Sequence, residues 1–342
     1  MSRIHDVAGM GFCPWETAFL VGSSVAQAVR AAREIGGEGE AVTAAALVSR
    51  GVRVLDQRFC GGGSIPNAVC AAAVAGAAGA FVGTVGDDEE GRVVRQALGS
   101  HGVDCRWLVT APGRTALSVV LTKPGAKAPR QLTLRRHHGT AGSGSLHQPT
   151  CRVLHLGYPG TRQLAWAEEQ KRRSGLVSVD VGQGCTRNVA LPQTTKLLAQ
   201  ADLVIVSRAN AGRLTGQGRG VALGDRIAAL RSLLGPGALL VVTLGAEGAA
   251  ASRGSVLLRL APPTVDAVDP TGAGDCLAGH LAAALAHGEL AGEGMVDALR
   301  RAVAASALSV TALSARGRLS SRQEADAWSV KVSVEEVSGL DL

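Results

Sequence analysis

Short apolar runs recur along the second half of the chain, and each is followed by a longer segment with apolar residues at helical spacing. The strand-like runs lie at 153–156, 176–180, 203–206 and 239–243. Helices are predicted at 161–173, 191–200, 221–234, 274–287 and 295–313. Because apolar strands that alternate with helices are typical of parallel sheets covered on both faces, this pattern predicts a doubly wound, mostly parallel α/β fold flanked by helices.

The first half of the chain has a different pattern, in which several strands alternate apolar and polar residues. A first strand ends near Gly11, a second covers 17–21, and a helix is predicted over 25–35. Half-exposed strands are predicted at 52–59, 116–121 and 131–135. Such alternation is typical of a sheet with one solvated face. We therefore expect a small antiparallel β-sheet from strands within about 16–60 and 115–136.

Length and composition fit one large domain. The chain has 342 residues, of which 46% are hydrophobic and only 3% aromatic, so the core must be built mainly from Ala, Val and Leu. We assign residues 1–322 to this domain. Residues 323–342 are expected to form a C-terminal tail, because charged residues alternate there with valine.

The charge is basic but dispersed. The formal net charge is +7, yet the arginines are not gathered into a run with interleaved aromatic residues, so we do not expect nucleic acid as a partner. A modest positive field also suits an enzyme that binds a nucleoside triphosphate. The seven cysteines are an odd number without a Cys-x-x-Cys pair, which argues against a disulfide framework and a zinc site.

Targeting signals are not evident in the sequence. Residues 1–7 lack the apolar core of a signal peptide, and no apolar run is long enough to cross a bilayer. We therefore expect a cytoplasmic protein without a membrane partner.

The most informative stretch is Asp-Pro-Thr-Gly-Ala-Gly-Asp at 269–275, which precedes an apolar, small-residue segment. This pattern predicts a turn that opens a helix, where backbone N–H groups lack intrahelical partners and favour an anion such as a phosphoryl group. The small residues Gly272, Ala273 and Gly274 let its oxygens approach the backbone. A carboxylate at 275 is unsuited to bind phosphate, but it is suited to take a proton from a hydroxyl that attacks the phosphate.

Three further motifs accompany this stretch. Gly-Gly-Ser-Ile-Pro-Asn lies at 62–67, Gly-Thr-Val-Gly-Asp-Asp-Glu-Glu-Gly at 83–91, and Thr-Leu-Gly-Ala-Glu-Gly at 243–248. Together with 269–275, the motifs resemble, in the same order, those of the ribokinase or PfkB-type carbohydrate kinase family, which includes sugar and nucleoside kinases. The resemblance extends from about residue 7 to residue 317.

The resemblance implies an ATP-dependent enzyme with a ribokinase-like fold, in which the small sheet is a lid over the acceptor. It implies Asp275 as the general base and the amides of 272–275 as the anion hole. ATP and Mg²⁺ are the implied cofactors. The implied nucleotide-side residues are Thr243, Gly245, Gly248 and Thr271. The implied acceptor-binding residues are Glu16, Gly62, Gly63 and Asn67.

The sequence departs from the family pattern in three places. The acid after the first strand is usually Asp and is Glu16 here, one methylene longer. The family's Asn-x-x-Glu, which orders water around Mg²⁺, is replaced by Ser-Arg-Ala-Asn at 207–210, so that Asn210 is only a weak candidate for the Mg²⁺ water shell. The loop at 313–317 matches the family poorly, which leaves a monovalent cation such as K⁺ near Asp269 as an open prediction.

The prediction is a kinase that phosphorylates a hydroxyl of a sugar or sugar-like polyol. A nucleoside kinase is the first alternative, favoured by the spacing from Gly9 to Glu16 and by four aromatic residues near the lid. A catalytically impaired binding or regulatory relative is the second, favoured by the missing glutamate and opposed by Asp275. The four aromatic residues that favour the first alternative are Phe12, Trp15, Phe19 and Phe59.

The Arg-His-His-Gly segment at 136–139 is a further candidate for substrate contact, and a homodimer through the lid strands is left open.

Overall fold

The computed structural model describes residues 4–38, 41–125, 129–135, 147–186, 190–218 and 220–337. Within these residues the chain forms one sheet of ten strands and one of four. The large sheet contains β1 (His5–Met10), β4 (Gly79–Gly86), β5 (Leu108–Ala111), β8 (Cys151–Leu156), β9 (Leu176–Val181), β10 (Leu203–Ser207), β11 (Leu239–Thr243), β12 (Ala249–Arg253), β13 (Val256–Ala261) and β14 (Ser333–Glu336). The small sheet contains β2 (Trp15–Val21), β3 (Val54–Gly61), β6 (Leu117–Thr122) and β7 (Arg130–Arg135).

Helices cover both faces of the large sheet and one face of the small sheet. Their bounds are α1 (Val25–Gly37), α2 (Ala44–Ser49), α3 (Ser64–Val74), α4 (Glu89–Ser100), α5 (Thr161–Arg172), α6 (Leu191–Leu198), α7 (Arg208–Thr215), α8 (Leu223–Arg231), α9 (Ala273–Ala286), α10 (Gly294–Ser309) and α11 (Arg322–Ser329). None of the helices in the described part of the chain is long and apolar enough to cross a membrane.

The strand order of the large sheet is β14-β13-β12-β11-β10-β9-β8-β1-β4-β5. Neighbouring strands from β11 to β5 run parallel, whereas β12, β13 and β14 continue the sheet antiparallel. In the large sheet, β4 lies on one side of β1 and β8 lies on the other, so the order in which strands are added reverses at β1. A crevice is expected at this reversal, outside the carboxyl ends of β1 and β8, because the connections leave in opposite directions there.

Strand residues alternate between two cores. On β10, Leu203 and Ile205 pack with α9 and α10, while Val204 and Val206 pack with helices on the opposite face. Burial of both faces explains the uninterrupted apolar runs in the sequence. The predicted doubly wound α/β fold is confirmed.

The four-stranded sheet has the order β3-β2-β6-β7 and is called the lid below, after the role that the family resemblance implies for it. Its outer pairs are antiparallel, as expected, and its central pair β2/β6 is parallel. Helix α1 covers one face, where Phe19, Ile35 and Leu47 are fully buried. The lid therefore has a core of its own.

Several elements differ from the sequence prediction. Helix α10 ends at Ser309 rather than at residue 313. Residues 322–336, which the sequence assigns mostly to a tail, form α11 and β14, and β14 pairs with β13. The tail therefore extends the large sheet by one strand.

Candidate active site

The 269–275 segment opens helix α9 in the way its sequence predicts. Gly272 has a φ of +79° and precedes the first helical residue, Ala273. A Cβ atom on Gly272 would lie 2.5 Å from the Cβ of Ala315, so a larger residue would displace the neighbouring loop. A Cβ on Gly274 would meet no atom within 4 Å, so there is open space in front of the first turn. The first-turn amides can therefore receive an anion.

Asp275 lies in this first turn and contacts helix α3. The Nδ2 group of Asn67 donates a hydrogen bond of 2.8 Å to the Oδ2 atom of Asp275. Burial raises the pKa of Asp275, while hydrogen bonds from Asn67 and Ser64 and the positive charge of Arg316 oppose this increase. A carboxyl group in this environment can both accept and hold a proton.

Close packing of α3 on α9 brings Asn67 to Asp275. A Cβ on Gly279 of α9 would overlap the carbonyl oxygen of Ala68 on α3, so only glycine permits this approach. The turn before α3 is equally close, because a Cβ on Gly63, which has a φ of +93°, would overlap the carbonyl oxygen of Phe12. The Gly-Gly motif thus holds the start of α3 against the segment that follows β1.

Glu16 belongs to the lid and is only 1% exposed. Its Oε2 atom accepts hydrogen bonds from Ser118 Oγ at 3.2 Å and from Gln131 Nε2 at 3.0 Å. A Cβ on Gly62 would lie 2.6 Å from the same oxygen. Burial raises the pKa of Glu16 to about 7, although the hydrogen bond from Ser118 and the charge of Arg316 oppose the increase.

Arg316 is a central residue that sequence reasoning did not select. It is 6% exposed, and its Nε group donates a hydrogen bond of 2.8 Å to Oδ1 of Asn67. Its Nη1 atom would lie 2.8 Å from a Cβ on Gly61, at the end of lid strand β3. The residue stands in the 313–317 loop, whose poor match to the family pattern was the only sequence signal.

Asp269 connects the 269–275 segment to the 313–317 loop. Its Oδ1 atom accepts hydrogen bonds from the hydroxyl and the N–H of Thr271, at 2.6 and 3.0 Å. Its Oδ2 atom accepts one of 2.8 Å from the N–H of Ser314. The carboxyl group is fully buried. Its observed role is to hold two loops together, and a K⁺ site beside it stays a prediction.

Three of the residues predicted for the nucleotide side, Thr243, Gly245 and Gly248, lie at or just after the end of β11, two strands from β9. Thr243 ends β11, and Gly245 has a φ of +65° with open space where a Cβ would be. Gly248 has a φ of +92°, and a Cβ there would overlap the carbonyl oxygen of Leu260. The turn into β12 therefore requires Gly248, whereas Gly245 leaves room for a ligand to approach the backbone.

Asn210, the weak candidate for the Mg²⁺ water shell, is engaged within the protein at both ends of its amide. Its Nδ2 group donates to the carbonyl oxygen of Val181 at 2.8 Å, and its Oδ1 atom accepts from Arg213 at 2.8 Å. Among the described residues there is no group of three or more His, Cys, Asp or Glu side chains that could hold a metal ion. The described residues are therefore compatible with a Mg²⁺ ion whose ligands are mainly ATP phosphates and water rather than protein side chains.

Asp180 is a second carboxyl group near Asp275 that sequence reasoning missed. It stands next to the end of β9, at the carboxyl edge of the parallel sheet. Burial, together with the negative charge of Asp275, raises its pKa to about 7. The available signal was a carboxylate near the end of a strand that is otherwise mainly valine and largely buried.

The four aromatic residues near the lid divide into two groups. Phe19 is fully buried in the lid core, whereas Phe12 and Phe59 are 48% and 51% exposed. The rings of Trp15 and Phe59 lie 5.6 Å apart in a tilted arrangement. Phe12 and Phe59 are thus available to a ligand, and Phe19 is not. The candidate segment 136–139 lies outside the described residues.

Known proteins resemble this chain in both sequence and fold. The family model described as "pfkB family carbohydrate kinase" matches residues 38–141 and 161–322. The chain belongs to this family. An aminoimidazole riboside kinase from Salmonella typhimurium is 27% identical over 276 residues, covering 74% of this chain and 82% of the relative. A fructokinase from Klebsiella pneumoniae is 31% identical over 252 residues, covering 67% and 78%.

Solved structures of the same fold support the assignment. The ribokinase from Arabidopsis thaliana, complexed with ribose and ATP, aligns with a TM-score of 0.72 at 20% identity, covering 96% of this chain and 99% of the ribokinase. At this identity the likeness concerns the fold alone. Together with the family match, it confirms the predicted ribokinase-like architecture.

Proposed function

We propose that this protein transfers the γ-phosphate of ATP to a hydroxyl group of a sugar or sugar-like polyol. The observation that carries the proposal is the position of Asp275. Its carboxyl group lies in the first turn of α9, directly beside amides that suit a phosphoryl group, and accepts a hydrogen bond from Asn67. A base and an anion site on one helical turn are what hydroxyl phosphorylation requires.

In this mechanism Asp275 accepts the proton of the attacking hydroxyl. The amides of Gly272, Ala273, Gly274 and Asp275 stabilise the negative charge on the transferred group, an electrostatic contribution that is commonly the largest in such reactions. The acceptor would be held by Glu16, Gly62, Gly63 and Asn67. Closure of the lid would exclude water from the transfer.

The nucleotide would bind along Thr243, Gly245, Gly248 and Thr271. The open space at Gly245 supports this placement, since a polyphosphate can approach the backbone there. Mg²⁺ would accompany the phosphates and neutralise part of their charge. A K⁺ ion near Asp269 stays a proposal that rests on the family resemblance alone.

The acceptor is not defined by the relatives, whose names refer to a riboside, fructose and ribose. A nucleoside kinase is the second candidate, and the exposed rings of Phe12 and Phe59 favour it because a nucleobase can stack on them. A catalytically impaired relative is disfavoured, because Asp275 and its partner Asn67 are both in place.

The test is an assay of ATP consumption with Mg²⁺ over hexoses, ketoses, 2-keto sugar acids, sugar phosphates and nucleosides. With the best acceptor, Asp275→Asn is expected to lower kcat by roughly 10²–10⁴-fold, as loss of a general base does, with little change in ATP affinity. Asp225→Asn is the matched control, because Asp225 is an exposed residue in the first turn of α8, and it should retain wild-type kcat.

Equal turnover by wild type and Asp275→Asn would remove the base assignment, and no turnover with any acceptor would remove the kinase assignment. A preference for nucleosides over free sugars would select the second candidate. Cytoplasmic location and a homodimer through the lid strands stay predictions, and the latter can be checked by light scattering.

A further inference from the structure

The 313–317 loop contacts three residues of the candidate active site, in two different segments. Ser314 donates its N–H to Asp269, and Ala315 abuts Gly272 at the entrance to α9. Arg316, the next residue, donates to the side chain of Asn67. Ser314 and Ala315 therefore contact the 269–275 segment, which is the proposed phosphate site, and Arg316 contacts Asn67 in the proposed acceptor site.

The amide of Asn67 connects Arg316 to Asp275. Its Oδ1 atom accepts from Arg316 Nε at 2.8 Å, and its Nδ2 group donates to Asp275 Oδ2 at 2.8 Å. A guanidinium group only donates hydrogen bonds and a carboxylate only accepts them. This pair of hydrogen bonds therefore admits a single orientation of the Asn67 amide. The reverse orientation would place a donor against Arg316 and an acceptor against Asp275.

We infer that Arg316 is a positioning residue for phosphoryl transfer, which fixes the Asn67 amide against the catalytic base and keeps a positive charge beside it. This inference rests on the proposed function and adds a residue to it. Arg316 acts through Asn67 and through its charge. The positive charge of Arg316 also opposes the rise in the pKa of Glu16, so one cation acts on two carboxyl groups, of which Glu16 is buried and Asp275 half-buried.

The protonation of Asp275 is the quantity that Arg316 should control. The charged and titratable groups around Asp275 are Arg316 from the 313–317 loop, Glu16 from the lid, Asp180 from β9 and the thiol of Cys276 on its own helix. Arg316 favours the ionised carboxylate, and the acidic groups oppose it. Loss of the cation should therefore move the acid limb of the kcat profile to higher pH.

The decisive variant is Arg316→Gln, which is neutral but polar. We expect the acid limb of kcat to shift upward by roughly one pH unit, in line with the effect of one nearby opposite charge on a carboxyl group, with an unchanged KM for ATP. Arg316→Lys restores the charge without the Nε donor, so its kcat should be lower at all pH values while its acid limb stays at the wild-type pH.

Arg318→Gln is the matched control, because Arg318 lies directly after the 313–317 loop. Arg318 is 39% exposed and binds Thr311 and Glu324 rather than the active site. We expect it to lower thermal stability slightly and to leave the pH profile unchanged. A wild-type acid limb in folded Arg316→Gln, or a shift in Arg316→Lys equal to that in Arg316→Gln, would overturn the inference.

A measurement without turnover separates this inference from the proposed function. The carboxyl carbon of Asp275 can be titrated by NMR in protein labelled at aspartate, with its signal assigned by its loss in Asp275→Asn. The signal should titrate at higher pH in Arg316→Gln than in wild type. If wild type phosphorylates no acceptor, the proposed function fails, while an unmoved titration refutes the role of Arg316 independently.

Discussion

Glu16 is a carboxyl group enclosed by the lid and the Gly-Gly turn. Its fractional exposure is 1%, and burial is the main cause of a pKa of about 7. The unfolded chain would titrate it near 4.5. Since the folded state binds the proton more tightly, the contribution of Glu16 to stability is full below pH 4.5 and is lost as the pH rises towards 7.

Glu16→Gln should remove this pH dependence. Glutamine can place its oxygen where Oε2 accepts from Ser118 and Gln131, and it carries no charge to bury. The free energy of unfolding of the variant relative to wild type should increase between pH 5 and pH 8 by on the order of 2 kcal/mol. Urea denaturation at the two pH values measures this difference.

Glu335→Gln on β14 is the matched control, because its side chain is exposed. Its relative stability should differ little between the two pH values. If Glu16→Gln behaves in the same way, Glu16 is ionised at little cost in the folded protein.

At the level of elements, the α3/α9 pair positions Asn67 against Asp275. The helices approach each other closely where Gly279 faces the backbone of Ala68 and the side chain of Ala71. Small residues at this interface allow the short distance, and the hydrogen bond between the two side chains depends on it. The position of Asp275 relative to Asn67 is thus set by helix packing one turn further along α9.

Gly279→Ala should force the two helices apart. Overpacking of a dense interface costs typically about 1–3 kcal/mol, so we expect a lower Tm together with a reduced kcat, even though Gly279 is not one of the proposed substrate-binding residues. Gly99→Ala on α4 is the matched control, because a Cβ there meets no atom within 4 Å. It should be neutral or stabilising by up to about 1 kcal/mol. A full wild-type Tm and kcat in Gly279→Ala would show that the interface adapts.

At the level of the whole molecule, the C-terminal segment completes the large sheet. Helix α11 packs against α10 and buries Ala325, Arg301 binds Asp326, and β14 pairs with β13. A chain without these elements would expose one edge strand and part of the core beneath α11.

A chain that ends at residue 321 should therefore be less stable and more prone to aggregation than one that ends at residue 337. The longer chain retains every described element, which makes it the matched control. Thermal unfolding and size-exclusion chromatography distinguish the two. Equal Tm and monodispersity would show that α11 and β14 contribute little to the fold.

Local sequence was sufficient for the features that depend on one segment. The apolar runs predicted the parallel strands, and the helix entrance at Gly272 was readable because its glycines and Asp275 lie on one turn. Alternating residues indicated the lid strands, although the parallel β2/β6 pairing was not predictable, since strand direction depends on the path of the intervening chain.

The sequence by itself determined the α/β class, the glycine-rich entrance to α9 and the family. Only the tertiary structure decided which side chains meet at Asp275. Asn67 and Arg316 are 249 positions apart and share a hydrogen bond, and Asp180 lies near Asp275 although it belongs to another element. Periodicity and motifs report on neighbours within a helix or strand, whereas such contacts arise from the packing of distant elements, and one-dimensional spacing carries no measure of that distance.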